Sequence, residues 1–255
     1  MSPLEIVLLV LAGVGGGLCG YLTGLASLVT YPALLAVGLS PVTANVSNTL
    51  GVLAIGVGST MKAGGQLLPL GRSRLVRDGA VALVGGGIGA GLLLLGGDEG
   101  FERVVPFLVA LASALLLAQP AITARRGGER DQPRAYLAGL VLTCLYGGYF
   151  GAGAGVVFLA LALLTNTVGF DRSMVLKSLL LGCSNLAASL VFVLAAPVNW
   201  WAALATGVGC YVGGRLGPTV QQWLPQQLLR WAIGLAGFGL ALWLGWQAFA
   251  PAAAS

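Results

Sequence analysis

Charged residues in this chain fall in short clusters separated by long apolar runs, and this spacing constrains the fold more than any other feature. Of 255 residues, only 13 are Lys or Arg and 8 are Asp or Glu. The runs between the clusters are roughly 18 residues or longer, enough to cross a hydrocarbon core about 30 Å thick. The runs cover residues 4–38, 43–61, 76–96, 103–122, 135–165, 174–196, 200–216 and 228–249. The pattern predicts a multi-pass membrane protein.

Composition excludes several other classes of protein. With 57% apolar residues and 8% charged residues, the chain has too few polar side chains to cover a soluble domain. The runs do not alternate polar and apolar residues, so the spans are expected to be helices. The 41 glycines favour closely packed helices. The basic residues border the spans instead of forming one patch, so no nucleic-acid partner is expected.

The same residue inventory argues against an enzyme. The chain has no His, which excludes imidazole bases and histidine metal ligands. The four cysteines lie scattered in apolar runs, and no phosphate-binding loop with the GxxxxGK pattern occurs. We therefore expect no catalytic residue, no bound metal and no cofactor. No Asp or Glu lies deep within a predicted span, so a proton relay through side chains is not expected either.

The chain contains an internal duplication. Residues 20–29, GYLTGLASLV, align with residues 148–157, GYFGAGAGVV, and a later alignment places Asn48 opposite Asn185. We interpret residues 1–122 as a first repeat, 123–134 as a polar cytoplasmic linker and 135–255 as a second repeat. Each repeat is predicted to contain one glycine-broken, re-entrant-like helical hairpin followed by three transmembrane helices. The predicted fold is therefore an all-α polytopic membrane protein.

The distribution of basic residues selects a topology. If 4–38 and 135–165 each cross the membrane once, the basic residues divide almost evenly between the two sides. If both segments fold back at their glycines, every basic residue except Arg103 lies on one side. Because positive residues concentrate in the cytoplasm, the second arrangement is favoured. It predicts inverted repeats in the inner (plasma) membrane with both termini outside the cytoplasm.

Broken helices in inverted repeats commonly form the substrate sites of transporters, since their free N–H groups and helix N-termini hold anions near the midplane. The duplicated breaks and the polar side chains near them are the candidate substrate-binding groups. These are Ser27, Thr30, Asn45, Asn48, Gly151, Gly153, Gly155, Lys177 and Asn185. Each has a structural alternative: the glycines can serve helix packing, the Asn and Ser residues can make interhelical hydrogen bonds, and Lys177 can extend to the cytoplasmic surface.

The sequence resembles the sulfite exporter TauE/SafE family, small bacterial permeases also described as toluene-sulfonate uptake proteins. The resemblance rests on GYLTGLASLVTYPALLAVGLSPVTANVSNTL, on its second copy GGYFGAGAGVVFLALALL, and on the segment 177–217 with Lys177, Asn185 and Gly213 in the usual order. The first break departs from the family's GxGGG-like pattern, with TGLAS before Pro32. The resemblance implies transport of sulfite, sulfoacetate or another sulfur-containing or organic anion, in the direction of export.

Together these features predict a secondary transporter that works by alternating access around a midplane anion site. Its partners are a small anion and the lipid bilayer, and a homodimer is left open. Coupling is also open: the protein is a uniporter, an exchanger or a symporter whose proton travels on the anion. The alternative functions are an anion channel and a structural or assembly subunit without transport activity.

Overall fold

The computed structural model describes residues 1–124, 132–165, 168–223 and 226–249, and all regular structure within these ranges is helical. The predicted linker at 123–134 lies largely outside the described residues, as does the C-terminus from residue 250. The helices are α1 (Pro3–Thr23), α2 (Ser27–Ala36), α3 (Pro41–Ala63), α4 (Arg72–Ala124), α5 (Pro133–Tyr149), α6 (Ala154–Thr165), α7 (Phe170–Ala195), α8 (Trp200–Val220) and α9 (Gln226–Phe249). A 3₁₀ turn, Gly64–Leu70, joins α3 to α4.

Five helical segments are long and apolar enough to cross a membrane. They are Pro3–Thr23, Arg72–Gly97, Glu99–Ala118, Phe170–Ala195 and Arg230–Phe249. Two of them belong to α4, which is interrupted at Gly97, where φ is 62° and ψ is −177°. We call Arg72–Gly97 the first arm of α4. Large apolar side chains such as Leu95, Leu194 and Trp246 point outward and are strongly exposed, which suits a surface covered by lipid.

The first glycine-rich segment forms a helical hairpin. α1 ends at Gly24, whose φ of 83° requires the left-handed conformation that glycine adopts without strain. α2 then returns along α1, with Ala26 against Gly20 and Thr30 against Gly16. Because these neighbours run in opposite directions, residues 4–38 turn back on themselves. We call α1 and α2 the first hairpin.

The second glycine-rich segment forms a hairpin of the same kind from α5 and α6. At its tip, a Cβ on Gly147 would lie 3.7 Å from Ala154, and Gly153 takes a φ of 83°. At its open end, the backbone N–H of Gln132 donates to the Thr165 carbonyl at 2.9 Å. The two legs therefore run back along each other over their length, and we call them the second hairpin.

Each hairpin packs against a helix from the other half of the chain. Gly13 and Gly17 of α1 contact Gly209 and Gly213 of α8, and a Cβ on Gly17 would lie only 2.9 Å from the Gly213 Cα. The contacts advance in the same direction on both helices, so α1 and α8 run parallel. Small residues allow this close backbone approach, which is the usual basis of helix packing in lipid.

The second hairpin repeats this packing. Gly85 and Gly89 of the first arm of α4 contact Cys144 and Tyr149 of α5, again in the same direction along both helices. α3 packs on α8, α7 packs on α4, and α3 crosses α7 where Gly56 meets Gly182. The crossing of α3 and α7 lies between the two hairpins and positions the cavity described next.

Candidate functional site

A cavity of about 50 Å³ lies between the tips of the two hairpins and the facing surfaces of α3 and α7. About 10–15 Å³ of such space holds one water, so the cavity has room for a few waters or one small oxyanion. The first hairpin contributes Gly24 and Ser27 and the second contributes Phe150 and Gly151. The polar groups from the other two helices are Asn48 and Thr49 of α3, and Lys177, Ser178 and Asn185 of α7.

Asn48 is held in place by the first hairpin. Its Nδ2 donates to the Ser27 Oγ at 3.0 Å, and its Oδ1 accepts from the Thr30 hydroxyl at 2.5 Å. All three side chains are buried. Because buried amides need hydrogen-bond partners, these two hydroxyls fix the orientation of the Asn48 amide at the wall of the cavity.

Lys177 is the basic side chain among those that line the cavity, and it is only 1% exposed. Its Nζ donates to the carbonyls of Gly20 and Tyr21, at 3.2 Å and 2.5 Å, and lies 5.6 Å from the centre of the Tyr21 ring. These carbonyls belong to the last turn of α1, where backbone oxygens lack helical partners and the helix dipole is negative. The broken helix therefore positions a cationic side chain.

The charge of Lys177 is not balanced by a carboxylate. The ion pairs in the described part of the chain join Asp78 to Arg74 and Arg77, at a different location. Asn185 is half-buried beside the cavity, and its side chain makes no hydrogen bond to any described residue. A cavity lined by a cationic side chain, amides and hydroxyls can bind an anion.

The structure brings five of the nine predicted site residues to this cavity: Ser27, Asn48, Gly151, Lys177 and Asn185. Thr30 lies behind Asn48 and supports it. Gly153 and Gly155 lie outside the cavity lining. Gly153 packs on Ala112, and Gly155 packs on Gly24. A Cβ on Gly155 would approach the Gly24 Cα too closely for any larger residue to fit. At these two glycines the structure supports the packing alternative.

Asn45 also lies outside the cavity lining, but it joins α3 to the second hairpin. Its Nδ2 donates to the Tyr149 carbonyl at 3.3 Å. Lys177 of α7 makes a similar contact with the Tyr21 carbonyl of the first hairpin. Thus, in each hairpin, the last turn of the first helix is hydrogen-bonded to a side chain from the other half of the chain.

Similar glycine contacts recur in the two halves of the chain. Gly214 packs on Ile55 as Gly86 packs on Ser184, and Gly217 packs on Tyr21 as Gly89 packs on Tyr149. If Ile55 is placed opposite Ser184, Asn48 falls opposite Lys177 and Asn185 falls opposite Gly56. The sequence alignment instead places Asn48 opposite Asn185.

Two polar groups in the cavity were not among the predicted site residues. Thr49 and Ser178 both line it, and each hydroxyl donates to the carbonyl four residues earlier in its helix. They follow Asn48 and Lys177 directly in the sequence. This position next to the two main polar residues is the sequence signal that could have identified them.

The geometry can be compared with known proteins at this point. A model of the family described as "Sulfite exporter TauE/SafE" matches residues 9–244, almost the whole chain. The chain belongs to the TauE/SafE family. It is therefore a membrane transporter, and the apolar helices are consistent with that assignment.

Curated relatives of this TauE/SafE chain carry a matching description. The "Probable membrane transporter protein YfcA" of Escherichia coli strain K12 is 29% identical over 240 residues, which cover 90% of this chain and 86% of the relative. The proteins of that name from Escherichia coli O6:H1 and O157:H7 match to the same extent. No solved structure matches the chain significantly.

Proposed function

We propose that the protein is a secondary transporter that moves a small sulfur-containing or organic anion, such as sulfite or sulfoacetate, by alternating access around the cavity between the hairpins. The observation that carries this proposal is the buried Lys177 side chain, which has no carboxylate partner in the described structure. The family description supports a sulfur oxyanion as substrate and export as direction.

The charge of the cavity supports an anionic substrate. A buried cation without a counter-ion loses hydration that the α1 carbonyls replace only in part. A bound anion supplies the missing charge, while Asn48, Asn185 and Ser27 offer hydrogen bonds. These three residues and Lys177 are the proposed polar contacts, and Gly151 lines the cavity with its backbone N–H bound to the Tyr146 carbonyl. Thr30 and Asn45 have positioning roles.

Helix directions support inverted repeats. α1 and α3 run parallel to α8, whereas α5 and α7 run parallel to the first arm of α4. If α3 and the first arm are successive membrane crossings joined by the short turn Gly64–Leu70, they run in opposite directions. α1 then runs opposite to its counterpart α5, which is the relation expected between inverted repeats.

The same arrangement supports a cavity near the membrane midplane. Asn48 and Lys177 are each about 10 Å along their helices from the first residue, Pro41 or Phe170, at 1.5 Å per residue. In inverted repeats those starting points lie on opposite membrane surfaces. At about 10 Å from opposite sides of a core about 30 Å thick, each residue lies about 5 Å from its centre.

Membrane orientation follows from the basic residues. With this helix order, the first residues of α4, α5, α7 and α9 share one face, and every Lys and Arg of the described ranges except Arg103 lies on that half of the molecule. The positive-inside rule assigns that face to the cytoplasm. We infer a protein of the cytoplasmic (inner) membrane with both termini outside the cytoplasm.

Burial of Lys177 favours a carrier over a channel. Its Nζ is bound to backbone carbonyls and its side chain is 1% exposed, so in this conformation it does not face an open, water-filled path. A site between two tethered hairpins suits alternating access, because either hairpin can open the site to one side.

Flux into proteoliposomes tests the proposal. The purified protein, reconstituted into vesicles, is expected to accumulate radiolabelled sulfite or sulfoacetate with a rate that saturates as concentration rises. Uptake of radiolabelled thiosulfate is measured in the same way. An absence of flux for all three anions would reject the transporter assignment, and a rate that rises linearly without saturation would favour a channel.

Substitution of Lys177 tests the site within the same assay. Lys177→Gln keeps a hydrogen-bond donor for the α1 carbonyls but removes the charge. Charge-assisted hydrogen bonds contribute about 1.5–3 kcal/mol, so substrate affinity is expected to fall about ten- to a hundredfold. Lys62→Gln is the matched control, since Lys62 is exposed in the last turn of α3. Equal flux in both variants would remove Lys177 from the site.

A further inference from the structure

A second cavity, of about 380 Å³, lies where α4 and α5 begin and shares no lining residue with the cavity between the hairpins. Its polar lining consists of Ser73, Arg74 and Arg77 from the first two turns of α4, Tyr136 of α5 and Thr165 at the end of α6. It therefore lies at the junction between the two halves of the chain.

A buried carboxylate organises this second cavity. Asp78 is fully buried, and its Oδ1 accepts from both Nε and Nη2 of Arg77 at 2.9 Å. Its Oδ2 accepts from the Tyr136 hydroxyl at 3.1 Å and lies 3.7 Å from the Nε of Arg74. Two guanidinium groups thus share one carboxylate, and among the described residues one positive charge remains unbalanced at the cavity wall.

Arg74 has hydrogen-bonding capacity that no described residue uses. Its Nε is buried and has no hydrogen-bond partner among the described residues, although most buried polar atoms in proteins have one. Its guanidinium carbon lies 5.5 Å from the centre of the Tyr136 ring, which holds the planar group in place. A guanidinium held in this way is ready to bind an oxyanion through paired N–H donors.

We propose that this second cavity binds a phosphate-type oxyanion, either the headgroup of an anionic phospholipid or a soluble phosphate, with Arg74 as the main contact. Basic pockets between transmembrane helices at the cytoplasmic surface are known to suit anionic headgroups. A bound anion contacts α4 and α5 together and so stabilises the junction between the two halves. This binding site is independent of the transport site proposed above.

Thermal unfolding of the purified full-length protein tests the proposal, with tryptophan fluorescence as the signal and inorganic phosphate, phosphatidylglycerol or phosphatidylcholine added in separate titrations. We expect phosphate or phosphatidylglycerol, but not phosphatidylcholine, to raise the unfolding midpoint of the wild type. In Arg74→Gln, the concentration that gives half of this shift should rise about tenfold or more. Arg215→Gln is the control, since Arg215 is an exposed arginine remote from the cavity lining.

The pattern of shifts identifies the source of the anion. A shift with phosphatidylglycerol alone assigns the cavity to a lipid headgroup, whereas a shift with inorganic phosphate assigns it to a soluble anion. If Arg74→Gln does not fold, Ser73→Trp replaces it, because Ser73 is exposed at the cavity and does not contact Asp78. Absence of any shift in the wild type, or equal shifts in the cavity variants and Arg215→Gln, would overturn the proposal.

Discussion

Two side-chain amides at the cavity between the hairpins have different structural surroundings. Asn48 is buried and exchanges hydrogen bonds with Ser27 and Thr30, whereas Asn185 is half-buried and makes none to the described residues. If both contact the anion, their removal should affect transport alike but stability differently. Comparing the two substitutions therefore separates the contribution of each amide to anion binding from its contribution to folding stability.

Alanine substitutions at the two positions test that contrast. Asn48→Ala leaves two buried hydroxyls without their partner, so it is expected to lower the free energy of unfolding by about 1–3 kcal/mol as well as to reduce flux. Asn185→Ala is expected to reduce flux with a much smaller change in stability. Thermal unfolding and sulfite uptake are measured on the same preparations. Wild-type flux in Asn185→Ala would show that Asn185 does not contact the substrate.

Which residues carry the site was only partly predictable from the sequence. The duplicated breaks and nearby polar residues predicted Ser27, Asn48 and Lys177 as site residues, and all three line one cavity. The sequence alignment places Asn48 opposite Asn185, whereas extending the pattern of glycine contacts places Asn48 opposite Lys177. In apolar helices many registers match almost equally well, so the correct register depends on which glycines meet across the interface.

At the scale of elements, the glycines of the hairpins have two separable functions. Some permit a left-handed turn and others permit close contact between backbones, and Gly24 does both. A Cβ on Gly24 would lie 2.6 Å from the backbone of Gly155 in the second hairpin. The tips of the two hairpins therefore touch, and the sequence alone could not show this because the contact joins residues far apart in the chain.

Comparison of two glycines with the same backbone conformation isolates the effect of this contact on stability. Gly24 and Gly38 have φ values of 83° and 86°, but a Cβ on Gly38 meets nothing within 4 Å. Gly38→Ala is expected to cost about 1–2 kcal/mol, the penalty for a left-handed L-residue. Gly24→Ala adds a backbone clash and should unfold at a clearly lower temperature and lose transport. Equal unfolding midpoints would show that the hairpin tips do not meet.

For the molecule as a whole, composition and charge predicted the architecture better than the details of the site. The apolar runs match the helices closely, and the two longest runs each contain a hairpin. The interruption of α4 at Gly97 also follows from the charges at 98–103, which separate two predicted spans. The buried Asp78 was harder to predict, because in the sequence it belongs to a charged cluster at the edge of a span.

The relation between the halves makes a prediction about two equivalent turns. Gln66 lies in the turn between α3 and α4, and Pro197 lies in the corresponding turn between α7 and α8; both are exposed. In parallel repeats the two turns would face the same side of the membrane. In inverted repeats they face opposite sides, and the excess of basic residues near Gln66 assigns that turn to the cytoplasm.

Cysteine labelling distinguishes these arrangements. Gln66→Cys and Pro197→Cys are introduced separately into a background in which Cys19, Cys144, Cys183 and Cys210, all unpaired, are replaced by Ala. A membrane-impermeant maleimide added to intact cells is expected to label the residue at 197, while the residue at 66 should react only after lysis. The cysteine-free background is the control. Labelling of both positions from the same side would contradict the inverted repeat, because α3 and α7 would then end on the same membrane surface.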